Sequence, residues 1–373
     1  MKYYVIAGEP SGDLHASNFM KELKQIDDKA DFCFLGGDLM ERAVGRKPTI
    51  HIKQMAFMGF VDVIKNLGKI SENFKIVKKD ILQYKPDVLI LVDYPGFNLR
   101  MAKWAKENGL KVFYYISPTV WAWKENRVEK VKKYVDKLFV IFPFEEAFYK
   151  KHDYQVHFVG HPLLDEIEER KKNLLSREEF FKKNGLSSKP LIAVLPGSRK
   201  QEIERMLDNM LEVINDFPEY EFVIGGAGHL SKDLYSKAAA QNIKVVFDQT
   251  YELMSYSEAG VIKSGTSTLE SALFDLPEVV CYKGGQASYL IAKQLVKVKY
   301  ISIVNLIMDK PVVKELIQGE MTAKTISAEL KELLNNSEYR NRILSDYKEL
   351  KTKLGGSGAS KRLAHAIYDN LKN

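Results

Sequence analysis

The residues best suited to chemistry fall in short clusters, each directly after an apolar run. Glu9, Ser11, Asp13 and His15 crowd the segment Gly8-Glu9-Pro10-Ser11-Gly12-Asp13-Leu14-His15, which follows Tyr3-Tyr4-Val5-Ile6-Ala7. A strand that breaks into Gly, Pro and Gly before a helix opens a crevice at its carboxyl end, where open α/β sheets take their ligands. A helix cap by Ser11 or Asp13 accounts for one of these polar residues and leaves the others unexplained. Asp93 follows the run Val88–Val92, in Asp93-Tyr94-Pro95-Gly96-Phe97-Asn98. At a strand end it can serve as general base to a substrate hydroxyl, or it can cap the helix that starts near Phe97. The pattern alone leaves both readings open.

Two further turns suit anions. In Leu195-Pro196-Gly197-Ser198-Arg199, Gly197 allows close backbone approach and Arg199 offers a fork of donors matched to phosphate oxygens. In Lys263-Ser264-Gly265-Thr266-Ser267-Thr268-Leu269-Glu270, small hydroxylated residues surround a glycine at the positive end of a helix. Glu270, one turn in, can accept hydrogen bonds from ribose hydroxyls. A single turn of this kind is usually only a cap; two at neighbouring sheet positions say more. Neither is a Walker loop, and no Gly-x-Gly-x-x-Gly fingerprint occurs. Gly225-Gly226-Ala227-Gly228 comes nearest and could border a base pocket.

The elements that must position these residues alternate between strand-like and helical runs, which predicts an α/β fold with parallel sheets. Strands are expected at Tyr3–Ala7, Val88–Val92, Val112–Ile116 and Leu138–Phe142. A second series runs through Leu191–Leu195, Glu221–Ile224, Lys244–Phe247, Gly260–Ile262 and Glu278–Cys281. The 373 residues exceed one ordinary domain. The charged stretch from Asp165 sets a boundary between domains 1–165 and 166–354. Gly355-Gly356-Ser357-Gly358 then detaches a last helix, 355–373, whose stripe Leu363, Ile367 and Leu371 can pack back on the first domain. Cys33 and Cys281 lie far apart in apolar runs and read as buried thiols of a reducing compartment. The amino-terminal apolar run is too short for a signal peptide, and no run reaches membrane-spanning length, so a cytoplasmic protein is expected. A net charge of +7 suits nucleic acid, an anionic membrane or phosphorylated substrates without choosing among them.

The remaining motifs are Ser117-Pro118-Thr119-Val120-Trp121-Ala122-Trp123 and Gly160-His161-Pro162. Together with Ala7–Asp13, Asp93–Asn98, Pro196–Arg199, Ser264–Glu270 and Tyr300-Ile301-Ser302-Ile303-Val304-Asn305-Leu306, they stand in the order found in the lipid-A-disaccharide synthase family. The chain resembles that family over nearly its whole length, with the Trp-Ala-Trp string the most specific part. It departs from many members in having Gly96 where they have Asp and Pro10 where they have Thr. The first change removes a second acid beside Asp93.

The resemblance implies an inverting, metal-independent glycosyltransferase of the GT-B type, two Rossmann-like domains facing an interdomain cleft. It implies transfer of 2,3-diacylglucosamine from its UDP derivative to 2,3-diacylglucosamine 1-phosphate, giving the β-1,6-linked disaccharide phosphate and UDP. On that basis Asp93 is the expected base and Arg199 neutralises the diphosphate. Gly197, Ser198, Gly265, Thr266, Ser267, Thr268, Glu270 and Asn305 form the donor side; Glu9, Ser11, Gly12 and Asp13 shape the acceptor side. No cofactor, metal or nucleic-acid partner is expected, and the oligomeric state is left open. His157 and His161 are four apart but separated by a strand and a turn, so they make no metal pair.

Acylated substrates bring a membrane into play. Met55, Phe57, Met58 and Phe60 form an apolar loop ahead of a stripe, Leu67, Ile70, Phe74, Val77 and Ile81, flanked by lysines. This arrangement suits contact with the inner membrane's cytoplasmic face, although a helical stripe of this kind more often belongs to a core. The competing functions are a 2-epimerase or peptidoglycan glycosyltransferase of the same type, and a non-catalytic nucleotide- or lipid-binding protein.

Overall fold

A computed structural model describes residues 1–55, 67–123, 127–285, 289 and 298–372. The chain divides into two compact units, Met1–Asp165 with Leu354–Asn373, and Glu166–Lys353. The first is built on strands β1 (Lys2–Ala7), β2 (Asp31–Gly36), β3 (Ile50–His51), β4 (Val88–Val92), β5 (Val112–Tyr115), β6 (Lys137–Val140) and β7 (His157–Phe158). Their order is β3-β2-β1-β4-β5-β6-β7, all parallel. The second carries β8 (Leu191–Leu195), β9 (Glu221–Gly226), β10 (Lys244–Phe247), β11 (Ser257–Lys263), β12 (Glu278–Tyr282) and β13 (Lys314–Ile317). Here the order is β10-β9-β8-β11-β12-β13, again parallel.

Both sheets are doubly wound. In each, the strand order reverses beside the first strand, at β1/β4 and at β8/β11, and such a switch point leaves a crevice outside the strands' carboxyl ends. Parallel strands covered on both faces read as unbroken apolar runs, and β4, β5 and β8 do. In β1, Tyr4 and Ile6 enter one hydrophobic cluster while Tyr3, Val5 and Ala7 enter the cluster on the opposite face. Leu89 and Leu91 of β4, and Val112 and Tyr114 of β5, join the first; their alternates join the second.

The first cluster also takes Val77 and Ile81 from the helix Leu67–Tyr84. Phe74 of that helix stacks on Phe97 with ring centroids 4.0 Å apart. Most of the expected stripe therefore faces the core, while Ile76 and Leu82 are exposed. Met55, assigned to a membrane-contact loop from sequence, is instead 3 % exposed and packed in this cluster. It follows a single 3₁₀ turn, Ile52–Gln54, that turns its side chain inward. Phe57, Met58 and Phe60 lie outside the described residues.

The second cluster is completed from the far end of the chain. Leu363, Ala364 and Ile367 of the helix Ala359–Lys372 pack into it beside Ala16, Phe19 and Leu23 of the helix Pro10–Ile26. Gly355, Gly356 and Gly358 all have positive φ, which lets the chain turn sharply before this helix. The Asp165 carboxylate caps it, accepting from the N–H groups of Gly358, Ala359 and Ser360 at 2.5, 3.2 and 2.9 Å. Arg362 donates through Nε to the Val159 carbonyl at 2.9 Å. A Cβ at Gly160 would lie 2.2 Å from the Arg362 guanidinium, which explains the glycine of Gly160-His161-Pro162. His161 is buried, its Nδ1 accepting from the Leu163 N–H, so this motif fastens the terminal helix.

Candidate functional site

In the first unit, Glu9 follows the end of β1 and Asp93 follows the end of β4, so the two carboxylates stand at the switch point. The helix Pro10–Ile26 has Glu9 as its N-cap residue, with no side-chain cap bond, and Pro10 fits its first turn because that position needs no N–H. Glu9 and Ser11 are exposed. Gly12 and Asp13 turn inward. A Cβ on Gly12 would sit 3.3 Å from the Ala7 Cβ, so this glycine lets the helix lie close on β1. Asp13 is 4 % exposed, and its carboxylate accepts from the N–H groups of Gly37, Leu39 and Met40 at 2.7, 3.1 and 3.1 Å. It thus caps a different helix, Asp38–Val44, whose own N-cap Gly37 has no side chain to offer.

The acceptor-side assignment of Gly12 and Asp13 is accordingly replaced by a packing role. Asp13→Ala should lower unfolding stability by about 2–3 kcal/mol, because it strands buried donors of a charge-assisted set. Urea denaturation would show this. At temperatures where the variant stays folded its substrate KM values should be those of the parent, whereas a raised acceptor KM would restore the binding role.

Asp93 is placed differently. The following helix, Pro95–Glu107, is capped at Tyr94 without a side-chain bond, so the Asp93 carboxylate is not spent as its cap. Burial, reinforced by the charge of Glu9 and opposed by the Tyr94 N–H, raises its pKa to about 6. A carboxylate tuned toward neutrality can take a proton near pH 7 more readily than an ordinary aspartate. A Cβ at Gly96 would meet nothing within 4 Å, so the missing acid there leaves open space.

In the string that follows β5, Ser117, Pro118 and Val120 are buried and Thr119 is exposed. Trp121 packs edge-on against Phe142 and Phe144, and Ser117 hydrogen-bonds Tyr149 at 2.6 Å. Behind them the buried Glu145 accepts from the Ile141 and Phe142 N–H groups, and burial raises its pKa to about 7. His15 on the first helix is held neutral by burial, its pKa lowered to about 4.

In the second unit, the turn after β8 and the turn after β11 are adjacent at the other switch point. Glu202 organises the first. It accepts from the N–H groups of Ser198 and Arg199 at 3.2 and 3.3 Å, and its carboxylate lies 3.0 Å from Lys263 Nζ and 3.7 Å from the Arg199 guanidinium. Gly197, with φ of 117°, makes room for this carboxylate, since a Cβ would come within 2.5 Å of it. The close approach that Gly197 allows is therefore to Glu202. Arg199 itself is 80 % exposed and free to swing to an anion. Lys263, unassigned from sequence, supplies a second cation at the same point; its placement at the last residue of β11 was the available signal.

A cavity of about 440 Å³ lies against these turns, lined among others by Gly197, Ser198, Gly225, Tyr251, Ser267 and Glu270. The Tyr251 hydroxyl donates to Glu270 at 3.1 Å and stands 3.5 Å from Glu166. Burial, with the nearby Glu166 charge, raises the Glu270 pKa to about 7. Thr266 is exposed, whereas Thr268 is fully buried and donates to the Gly265 carbonyl at 2.8 Å, closing the turn on itself. Asn305, expected on the donor side, is 1 % exposed. Its amide donates to Val313 O and Glu315 and accepts from the Val313 N–H, so it ties a loop to β13.

Two doubly wound parallel sheets in two compact units are the architecture of the GT-B class of nucleotide-sugar proteins. Solved structures agree in fold. A UDP-GlcNAc 2-epimerase from Neisseria meningitidis matches over 100 % of both chains, with TM-score 0.67 and 13 % identity. The calicheamicin glycosyltransferase CalG4 matches 100 % of this chain and 98 % of its own, with TM-score 0.60 and 14 % identity. The family is fixed by sequence: the model for lipid-A-disaccharide synthetase matches residues 3–367, and the chain belongs to the lipid-A-disaccharide synthase family. A lipid-A-disaccharide synthase of Geobacter metallireducens is 38 % identical over 98 % of this chain and 96 % of its own length. One from Coxiella burnetii is 35 % identical over 98 % and 97 %. The chain is thus a glycosyltransferase of lipid A biosynthesis, acting on UDP-sugar and lipid-linked sugar; the epimerase likeness extends to fold alone.

Proposed function

We propose that the chain transfers 2,3-diacylglucosamine from its UDP derivative to the 6-hydroxyl of 2,3-diacylglucosamine 1-phosphate. The observation that supports this best is the Asp93 carboxylate at the switch point of the first unit, following the end of β4 and not used as a helix cap. In the reaction Asp93 takes the acceptor hydroxyl proton as the oxygen bonds to the donor anomeric carbon. The bond from that carbon to the UDP oxygen breaks, and the electron pair leaves with the diphosphate. Arg199 moves onto that charge, aided by Lys263 and the open end of the Thr266–Leu273 helix. Glu270, oriented by Tyr251, holds the ribose hydroxyls. Glu9 and Ser11 border the acceptor. The reaction requires no metal in this scheme, the charge of the leaving group being met by side chains.

No helix among the described residues is long and apolar enough to cross a membrane. The chain is proposed to reach its acylated substrates as a peripheral protein on the cytoplasmic face of the inner membrane. Exposed Ile76 and Leu82, with Lys75 and Lys79 on the same helix, support such a contact. UDP release measured with both acylated sugars tests the transfer. Release should need both, and release with water-soluble acceptors or with donor alone would overturn it.

A further inference from the structure

Asp93 sits on a backbone that a chain does not adopt without restraint. β4 ends at Val92, and the Asp93 N–H still joins the sheet, donating to the Tyr115 carbonyl at 2.9 Å. Asp93 and Tyr94 then take φ of 45° and 48°, two consecutive non-glycine residues in the left-handed region. Such conformations persist where surrounding structure over-determines them.

The restraint converges on one atom, the main-chain carbonyl oxygen of Asp93. Asn98 is fully buried one turn into the next helix, and its Nδ2 lies 2.7 Å from that oxygen and 3.1 Å from the Val92 carbonyl. Ile6 O stands 3.5 Å away, so carbonyls surround this end of the amide and fix it as the NH₂ end. From β5, the Tyr114 hydroxyl donates to the same Asp93 oxygen at 2.6 Å. Both lone pairs of the carbonyl are thereby used. A third brace is steric: a Cβ on Gly8 would lie 2.3 Å from the Tyr94 ring, so this glycine gives that ring its seat.

We propose that Asn98 and Tyr114 are positioning residues that set the direction of the Asp93 carboxylate by clamping its main-chain carbonyl. Locking this oxygen fixes the peptide plane between Asp93 and Tyr94, and with it the bond from Cα to Cβ that aims the carboxylate. Neither residue need touch substrate. The inference rests on Asp93 being the base, and the test separates the two.

Tyr114→Phe removes one oxygen and keeps the ring. It should lower kcat about ten- to hundredfold with both KM values within twofold, and displace the acidic inflection of the kcat–pH profile. Asn98→Ser, a shorter donor, should act in the same direction. The decisive measurement is a double-mutant cycle. In an Asp93→Asn background, Tyr114→Phe should cost no further kcat, whereas a merely structural hydroxyl would cost the same factor in both backgrounds. If Asp93→Asn is crippled while Tyr114→Phe keeps parental kcat and pH profile, the clamp is wrong and the base stands. Parental turnover in Asp93→Asn itself would remove the base, and the clamp with it.

Discussion

Replacing Asp93 by asparagine should cut kcat about 10²- to 10⁴-fold while leaving the urea midpoint nearly unchanged, the range a positioned general base supplies. The side chain is isosteric and its carboxylate caps no helix, so the fold loses little. The pH dependence follows from the same environment. Burial and Glu9 hold the carboxyl protonated until about pH 6, and only the deprotonated form accepts the hydroxyl proton. The parent kcat/KM, which reports the free enzyme, should therefore be level above this pH and fall about tenfold for each unit below it, the slope of a single titrating group. Glu9→Gln removes the neighbouring charge and should move the inflection to lower pH, while burial keeps it above that of a free aspartate. An unmoved inflection in Glu9→Gln would assign the titration to another group.

Arg199→Ala should reduce kcat by about 10²- to 10³-fold, comparable to deleting one preorganised donor to a developing anion. Arg199→Lys should recover part of that loss, since charge returns without the planar fork. With 80 % of the side chain exposed, the substitution should leave unfolding stability within about 0.5 kcal/mol of the parent. Steady-state kinetics beside a denaturation curve separates these. A variant that loses stability but keeps turnover would show that Arg199 serves the Glu202 turn instead of the leaving group.

The contrast with Asp13 shows which parts of the site sequence can reveal. Strands such as Val88–Val92 and Leu191–Leu195 appear with the bounds their apolar runs display, because buried parallel strands need continuous hydrophobicity. Of the edge strands, Lys244–Phe247 was legible and three others were harder. Ile50–His51 and His157–Phe158 have two residues each, and Lys314–Ile317 begins with two charges. At the sites, motif and spacing bring Asp93, Arg199 and Glu270 to strand or helix ends, where they stand. They do not reveal which donor a carboxylate meets in three dimensions. Asp13 is spent on N–H groups 24 to 27 residues away, and Glu202 takes N–H groups of a turn that looked built for phosphate. Met55 misled for a related reason, since apolar character alone does not distinguish a core residue from one facing lipid.

The terminal helix has a consequence for how the chain is made. Leu363, Ala364 and Ile367 complete the hydrophobic layer of the first unit, yet they leave the ribosome after every residue of Glu166–Lys353. The second unit is one continuous segment and can close its core as soon as it has emerged. The unit translated first must wait, with Ala16, Phe19 and Leu23 uncovered, until the helix Ala359–Lys372 arrives. During synthesis the order of completion is thus the reverse of the order of the gene, and a chain stopped short of Gly355 keeps an apolar face that chaperones and proteases recognise.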